Sequence, residues 1–398
     1  MAMKYLGAGI LAAATLARAV VIDLPIITQN TYNDRTPSSW KSAHLPKHIA
    51  YPLTPDRAVA GSHRQLVGNT TACPNLSGYT RVGYKETSTA KDLNAYSFIG
   101  YIDGDGVGGS AIQDVFTISD STTPVTWNQT FLSANTSSWR FIPADGFLGL
   151  GFASIAQTNT STLVETLLQD GLLDEPRFAV FYGTTAPNEN TGTNPDGRLT
   201  IGGSHEDIYV EGSMAYAPLR QESPFQLWRT SVRSVIVNTG RTPRTETNSS
   251  SAPETNVTIN LPVNGRAVFD TGAGRISLPS DVVGEVYSQL GWSLPDLLQG
   301  NVRWTCDAFN STWGISLVLG DGAISDDVHL EIRGDELVGD ANCQPPFDDS
   351  GVKGFALVGT SLLKRYYSVY DFGGSNVHSY KPKIGFGRLK KEFDYLHL

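Results

Sequence analysis

The chain has 398 residues, too many for one ordinary core and enough for two domains of about 150–200 residues each. Apolar residues make up 40%, which supports a packed interior and excludes a globally disordered chain. A net charge of −9 with no basic patch excludes nucleic acid as the partner.

The N-terminus reads as a secretory signal over residues 1–19. Lys4 supplies the positive start, Leu6 to Leu16 is a short apolar run, and Ala17-Arg18-Ala19 is a cleavage site of the A-x-A kind. The run is too short to span a membrane, and no later one approaches the necessary length. The polar C-terminal end rules out a lipid-anchor signal. Asparagine sequons at Asn69, Asn75, Asn128, Asn135, Asn159, Asn248, Asn256 and Asn310 add to the exported reading: secreted and extracellular, or held in the secretory pathway or vacuole. Three cysteines leave one disulfide and one orphan.

Val20 to Pro25 reads as a strand. Residues 20–65 otherwise form an atypical segment, and Asn33 to Gln65 shows no alternating apolar pattern and reads as coil. From Leu66 the texture changes to short β-type runs. Ser97 to Tyr101, Asp114 to Ile118, Phe178 to Tyr182 and Leu199 to Ile201 are bounded by Gly or Asp and read as strands. Two helices are expected: Thr162 to Asp170, stopped by Gly171, and Ser280 to Leu290, opened by Ser280 as N-cap and stopped by Gly291. Thr184 to Gly197 and Arg241 to Val257 read as polar loops. A domain divide is expected between Pro218 and Pro224, giving an N-terminal lobe over residues 66–218 and a C-terminal lobe over residues 219–398.

The sharpest chemical signal is Ala267-Val268-Phe269-Asp270-Thr271-Gly272-Ala273. An apolar strand runs directly into a carboxylate, a hydroxyl and a glycine. A buried strand holds a carboxyl rigidly at its tip, Thr can bond across to a neighbour, and Gly admits close backbone approach. An ordinary turn uses the same residue types. Other patterns are weaker. Gly104-Asp105-Gly106-Val107-Gly108-Gly109 matches a dinucleotide fingerprint without the helix that must follow. Asp103, Asp105, Gly108 and Asp114 form a partial calcium loop without flanking helices. His44 and His48 have a zinc-like spacing interrupted by Pro46. No metal or other cofactor is expected.

The Asp270 segment resembles the second active-site loop of the pepsin-like aspartic proteases. Other segments resemble that family in the same order. Ile99-Gly100-Tyr101-Ile102-Asp103-Gly104 is similar to its flap, and Ala144 to Gly151 to its D-G-(I/F)-L-G-L-G segment, with Gly149 as a supporting glycine. Gly197 to Gly203 resembles its G-x-L-x-(L/I)-G-G strand, Leu357-Val358-Gly359 the segment beneath the second aspartate, and Tyr366 to Asp371 with Ile384 to Gly387 the closing strands. The resemblance covers Leu66 to about Leu389. It implies an all-β, bilobed pepsin-like acid protease fold: two β-barrel-like lobes, a central cleft and a few short helices. It further implies an aspartic endopeptidase and a monomer, with polypeptide substrates in the interlobe cleft. Asp270 is then the catalytic carboxylate, supported by Thr271, Gly272 and Gly359. Tyr101, Asp103 and Gly104 form the flap. Cys306 and Cys343 sit where the family places a disulfide.

One part is missing. The family carries a second D-(T/S)-G in the first lobe, and none precedes Tyr101. Counting back from Leu66-Val67-Gly68 places Val59 where that aspartate would stand, and valine cannot ionise. Either the reading frame over this stretch is misassembled between two intact flanks, or the chain keeps the cleft without turnover, as a peptide- or protein-binding pseudoprotease. Asp56 is the nearest carboxylate but lacks Thr-Gly after it. Ala273 replaces a common Thr or Ser, which tunes acidity more than it removes function. An inactive binding protein and a carbohydrate-binding β module are the readings from other classes.

Overall fold

The structure, a computed structural model, describes residues 20–26, 66–67, 84–101, 106–118, 124–138, 146–157, 160–183, 197–241, 254–262, 264–337 and 343–394. In chain order the strands are β1 (Ile22–Ile26), β2 (Leu66–Val67), β3 (Lys91–Gly100), β4 (Gly106–Ile118), β5 (Val125–Ser137) and β6 (Arg177–Phe181). Then come β7 (Gly197–Ile201), β8 (Ala215–Pro218), β9 (Arg229–Thr239), β10 (Thr255–Asn260), β11 (Arg266–Phe269) and β12 (Ile276–Leu278). The last are β13 (Gly314–Leu319), β14 (Val328–Arg333), β15 (Phe347–Asp349), β16 (Phe355–Val358), β17 (Tyr366–Asp371) and β18 (Lys383–Arg388). Among the described residues the α-helices are few and short, so the all-β expectation holds.

Three sheets organise these strands. A four-stranded sheet runs β2-β5-β4-β3 in the first half, and an eight-stranded sheet, β14-β13-β9-β11-β16-β12-β15 with β10 on β9, occupies the second. The third sheet, β1-β7-β6-β17-β18-β8, takes strands from both halves. Its centre is the antiparallel pairing of β6 with β17, Ala179 opposite Val369. The divide expected near residue 218 therefore runs through a shared sheet.

Alternation explains the outer strands. In β5 the inward side chains Val125, Trp127, Gln129 and Phe131 alternate with exposed Thr126 and Asn128 and half-buried Thr130. β13 is buried at every position because β9 and β14 flank it within the sheet and both faces are covered. An aromatic group of Phe152, Phe178, Trp228, Tyr370, Phe372 and Tyr380 joins the halves; Phe178 stacks on Tyr370 at 4.6 Å and Trp228 meets Phe152 at 4.8 Å. Such ring pairs add attraction beyond the area they bury.

The expected strands are present, mostly longer than read. The first helix spans Leu163–Gln169 and ends at Gly171 with φ +67°. The second differs at its start: it spans Val283–Gln289 with Val282 at the cap position, and Ser280 does not cap it. The backbone begins coiling at Pro279, whose carbonyl accepts from both Val282 and Val283 amides, so the helix opens without a side-chain acceptor.

Candidate active site

Asp270 follows β11, the strand on which the site depends. β11 runs parallel to β16 and antiparallel to β9, with Phe269 opposite Val358. Its residues Ala267, Val268 and Phe269 are buried, and Phe269 packs on Phe386 at 4.8 Å. The Phe269 amide donates to Trp228 O (3.0 Å) and the Asp270 amide to Val358 O (3.0 Å). The carboxylate is thus delivered by a strand fixed on both sides.

The loop after it is clamped by the segment following β16. Gly359 N donates to Arg275 O (2.9 Å), Thr360 N to Ala273 O (2.7 Å) and Ser361 Oγ to Gly274 O (2.7 Å). A side chain on Gly359 would place its Cβ 2.3 Å from Ala273 O and 2.5 Å from Arg275 O. Both are backbone atoms that cannot swing aside, so this crossing demands glycine. Gly359 also opens a short helix, Thr360–Leu363.

Asp270 itself is half-buried. Burial pushes its carboxyl up to about 6, against the pull of the Gly272 and Ala273 amides toward the ionised form. The Gly272 N–H bonds Oδ1 at 2.8 Å. No second carboxylate among the described residues contributes to this shift. Two buried tyrosines, Tyr182 and Tyr370, lie within electrostatic reach of Asp270; burial first, and its charge in addition, hold their phenols above the ordinary value. Among the described residues the Tyr182 hydroxyl lacks a hydrogen-bond partner, whereas the Tyr370 hydroxyl lies beside Ser368.

The structure brings several expected residues together. Asp270, Thr271, Gly272 and Gly359 form one knot. Gly149 is buried beside Leu150, whose carbonyl accepts from the Trp228 indole N–H (2.7 Å). Since Trp228 O in turn holds the Phe269 amide, the first-half segment reaches the Asp270 strand through one tryptophan. Tyr101 follows β3 and packs with Ile99, Val107, Leu132 and Ala134 at the far end of the β3–β4 hairpin. Val59, Asp103 and Gly104 lie outside the described residues, as do Asp56, Cys73, His44 and His48 and the sequons Asn69, Asn75, Asn159 and Asn248. Asn128, Asn135 and Asn256 are exposed and Asn310 is half-buried. Cys306 and Cys343 are disulfide-bonded. Asp114 of the partial calcium loop is committed elsewhere: it accepts from Tyr84 (2.8 Å), Thr87 (2.7 Å) and Thr89. No group of three or more His, Cys, Asp or Glu among the described residues could hold a metal ion.

Sequence reasoning missed Trp228, Ser361 and the tyrosine pair as parts of the site. Tyr182 and Tyr370 stood inside recognised strands, but nothing local marks a strand tyrosine as a neighbour of a distant aspartate.

Known proteins similar to this chain share one family. The model of the family described as eukaryotic aspartyl protease matches residues 60–380, opening one residue after Val59. A vacuolar aspartic protease of Candida albicans is 24% identical over 78% of this chain and 68% of its own length. A probable vacuolar protease A of Trichophyton verrucosum is 26% identical over 69% of this chain and 62% of its own length. Pepsin A of Rhinolophus ferrumequinum is 21% identical over 76% of this chain and 71% of its own. The chain thus spans less than two thirds of the Trichophyton relative's length. The match extends over most of the chain, and the sheets and the clamped Asp270 loop accord with an all-β bilobed pepsin-like fold; the chain belongs to the eukaryotic aspartyl protease family.

Proposed function

We propose that this chain is an aspartic-type endopeptidase that cleaves polypeptides held in the interlobe cleft, with Asp270 handling the proton exchanged between an attacking water and the peptide. One observation carries the reading: a carboxyl fixed at a strand tip, bonded by the Gly272 amide and lifted by burial to about 6. In an acidic compartment such a group is protonated and donates to the carbonyl oxygen of the scissile bond. The water must lose its proton to a second group, and paired aspartates divide these roles because two adjacent carboxyls do not ionise together. In this sequence the position counted for that second aspartate holds Val59, so turnover on this reading requires a reading frame that restores an aspartate there. The flap tyrosine, Tyr101, closes over the bound peptide and excludes solvent. The signal segment and the exposed sequons support export through the secretory pathway, as a glycoprotein.

A second reading rests on the same gap. The position counted for the partner aspartate holds Val59, which cannot ionise, and this favours a peptide-holding protein without turnover. One experiment separates the two. The secreted full chain is mixed with a denatured protein at pH 3 to 7, with and without a peptide bearing a hydroxyl-containing tetrahedral isostere at its cleavage position. The endopeptidase reading expects acid-dependent cleavage, inhibition by the isostere, and a loss of at least ~10²-fold in Asp270→Asn. Isostere binding without cleavage establishes the holding protein. Neither binding nor cleavage ends both readings.

A further inference from the structure

The second half of the chain holds a cavity of about 490 Å³ that shares no residue with the Asp270 loop. Its size falls within the range of small-molecule sites, about 300–1,000 Å³. Three tryptophans wall it: Trp292, Trp304 and Trp313, with Gln289, Asn310 and Thr312 supplying polar groups. Trp292 lies 4.7 Å from Trp304, and Trp313 stands nearly perpendicular to Trp304 at 6.1 Å. Apolar ring faces beside amide and hydroxyl groups suit a sugar, whose C–H face stacks on indole while its hydroxyls bond at the edge.

Two observations narrow the occupant. Trp304 is 2% exposed, yet its indole N–H is buried without an acceptor among the described residues. The donor is sealed inside the core with its ring, so the open indole face of the cavity is that of half-buried Trp292. The neighbouring Trp313 N–H is already given to Ala308 O (2.7 Å). The second observation is Asn310, a cavity residue and the first residue of the sequon Asn310-Ser311-Thr312. Its Oδ1 accepts from the Thr312 amide (3.0 Å) and the Thr312 hydroxyl. Its Nδ2 donates one hydrogen to Asp307 O (3.3 Å). A primary amide has two such hydrogens, and attachment of a sugar replaces only one. The side chain can keep all three contacts after modification.

We propose that Asn310 carries an N-linked glycan whose first N-acetylglucosamine lies in this cavity, against the indole of Trp292. The proposal rests on the export reading above. Attachment forms a bond between Nδ2 and C1 of the sugar while the C1–O bond to a lipid diphosphate donor breaks. The amide loses one proton and the lipid diphosphate departs.

The test uses the full chain secreted from a eukaryotic host. Glycopeptide mass spectrometry should find Asn310 occupied, with exposed Asn128, Asn135 and Asn256 as internal references. An amidase that cleaves at Nδ2, applied to the folded protein, should release the Asn310 glycan at least ~10-fold more slowly than the reference glycans, because access requires local opening. Trp292→Ala should erase that difference. Trimming every glycan to one N-acetylglucosamine should leave tryptophan emission and Tm unchanged, whereas Asn310→Gln should shift emission to the red and lower Tm by about 2–4 °C. An empty Asn310 beside occupied reference sites overturns the proposal, as does equally fast release at all sites. If no sequon is occupied, the export reading fails and this proposal fails with it.

Discussion

Asp270 owes its acidity to two opposed influences, burial that favours the neutral acid and two loop amides that favour the ion; burial wins. A carboxyl whose folded pKa of about 6 exceeds its ordinary 3.8 gives its full stability below pH 3.8, and that stability is lost as pH rises through 6. Allowing for partial solvent access, the loss is on the order of 2 kcal/mol. Asp270→Asn keeps an oxygen for the Gly272 amide and cannot ionise. Its Tm should match that of the unmodified chain at pH 3.5 and exceed it at pH 7; an unchanged difference across that range would contradict the assignment. Gly359→Ala tests the crossing beneath the loop. With a Cβ 2.3 Å from a backbone oxygen, it should destabilise by about 1–3 kcal/mol in urea unfolding and abolish isostere binding. Asp270, Thr271 and Gly272 were legible because strand and turn chemistry are written in consecutive residues. Trp228 was not, because its two contacts, Leu150 O and the Phe269 amide, exist only once distant segments meet.

Among the elements, the β3–β4 hairpin shows what local pattern conceals. Ser97 to Tyr101 read as the strand, yet β3 begins at Lys91, since an edge strand tolerates exposed Lys91, Asp92 and Asn94. Asp114 to Ile118 reads as the partner strand, yet β4 begins at Gly106. Gly109 is required there because a Cβ would lie 2.0 Å from Ser133 O across the pair, at the bulge between Gly108 and Gly109. The root of this hairpin is tied by Asp114, which is 2% exposed. Burial pushes its carboxyl up, but the hydroxyls of Thr89, Thr87 and Tyr84 and the Val115 amide outweigh that and hold it at about 2. It therefore stays ionised, and its four donors stay bonded, throughout the acidic range in which the proposed chemistry operates. Asp114→Ala should leave these hydroxyls without their acceptor and cost about 1–3 kcal/mol, with faster hydrogen exchange at amides 91–100. Unchanged exchange there would show that the segment is held by other contacts.

Across the whole molecule, the shared six-stranded sheet ties the two ends of the chain together. Glu165 adds a second tie: its buried carboxylate accepts from Tyr380 (2.9 Å), Thr162 (3.3 Å) and the Ala153 amide. Burial raises this group as well, so its contribution also weakens as pH rises. Two lobes were legible from length and from the family resemblance, but the sheet that unites them was not, because pairings such as Ala179 with Val369 leave no trace in either segment alone. Fragments 1–218 and 219–398 expressed apart should each lack a cooperative unfolding transition, and co-expression should restore one; independent cooperative melting of either would refute this. The clamp on Asp270 also sets an order of events during synthesis. Residues 358–361 leave the ribosome long after the aspartate they hold, and β17 and β18 later still. A nascent or truncated chain therefore lacks the amides and hydroxyl that fix the Asp270 loop until residues 358–361 have emerged.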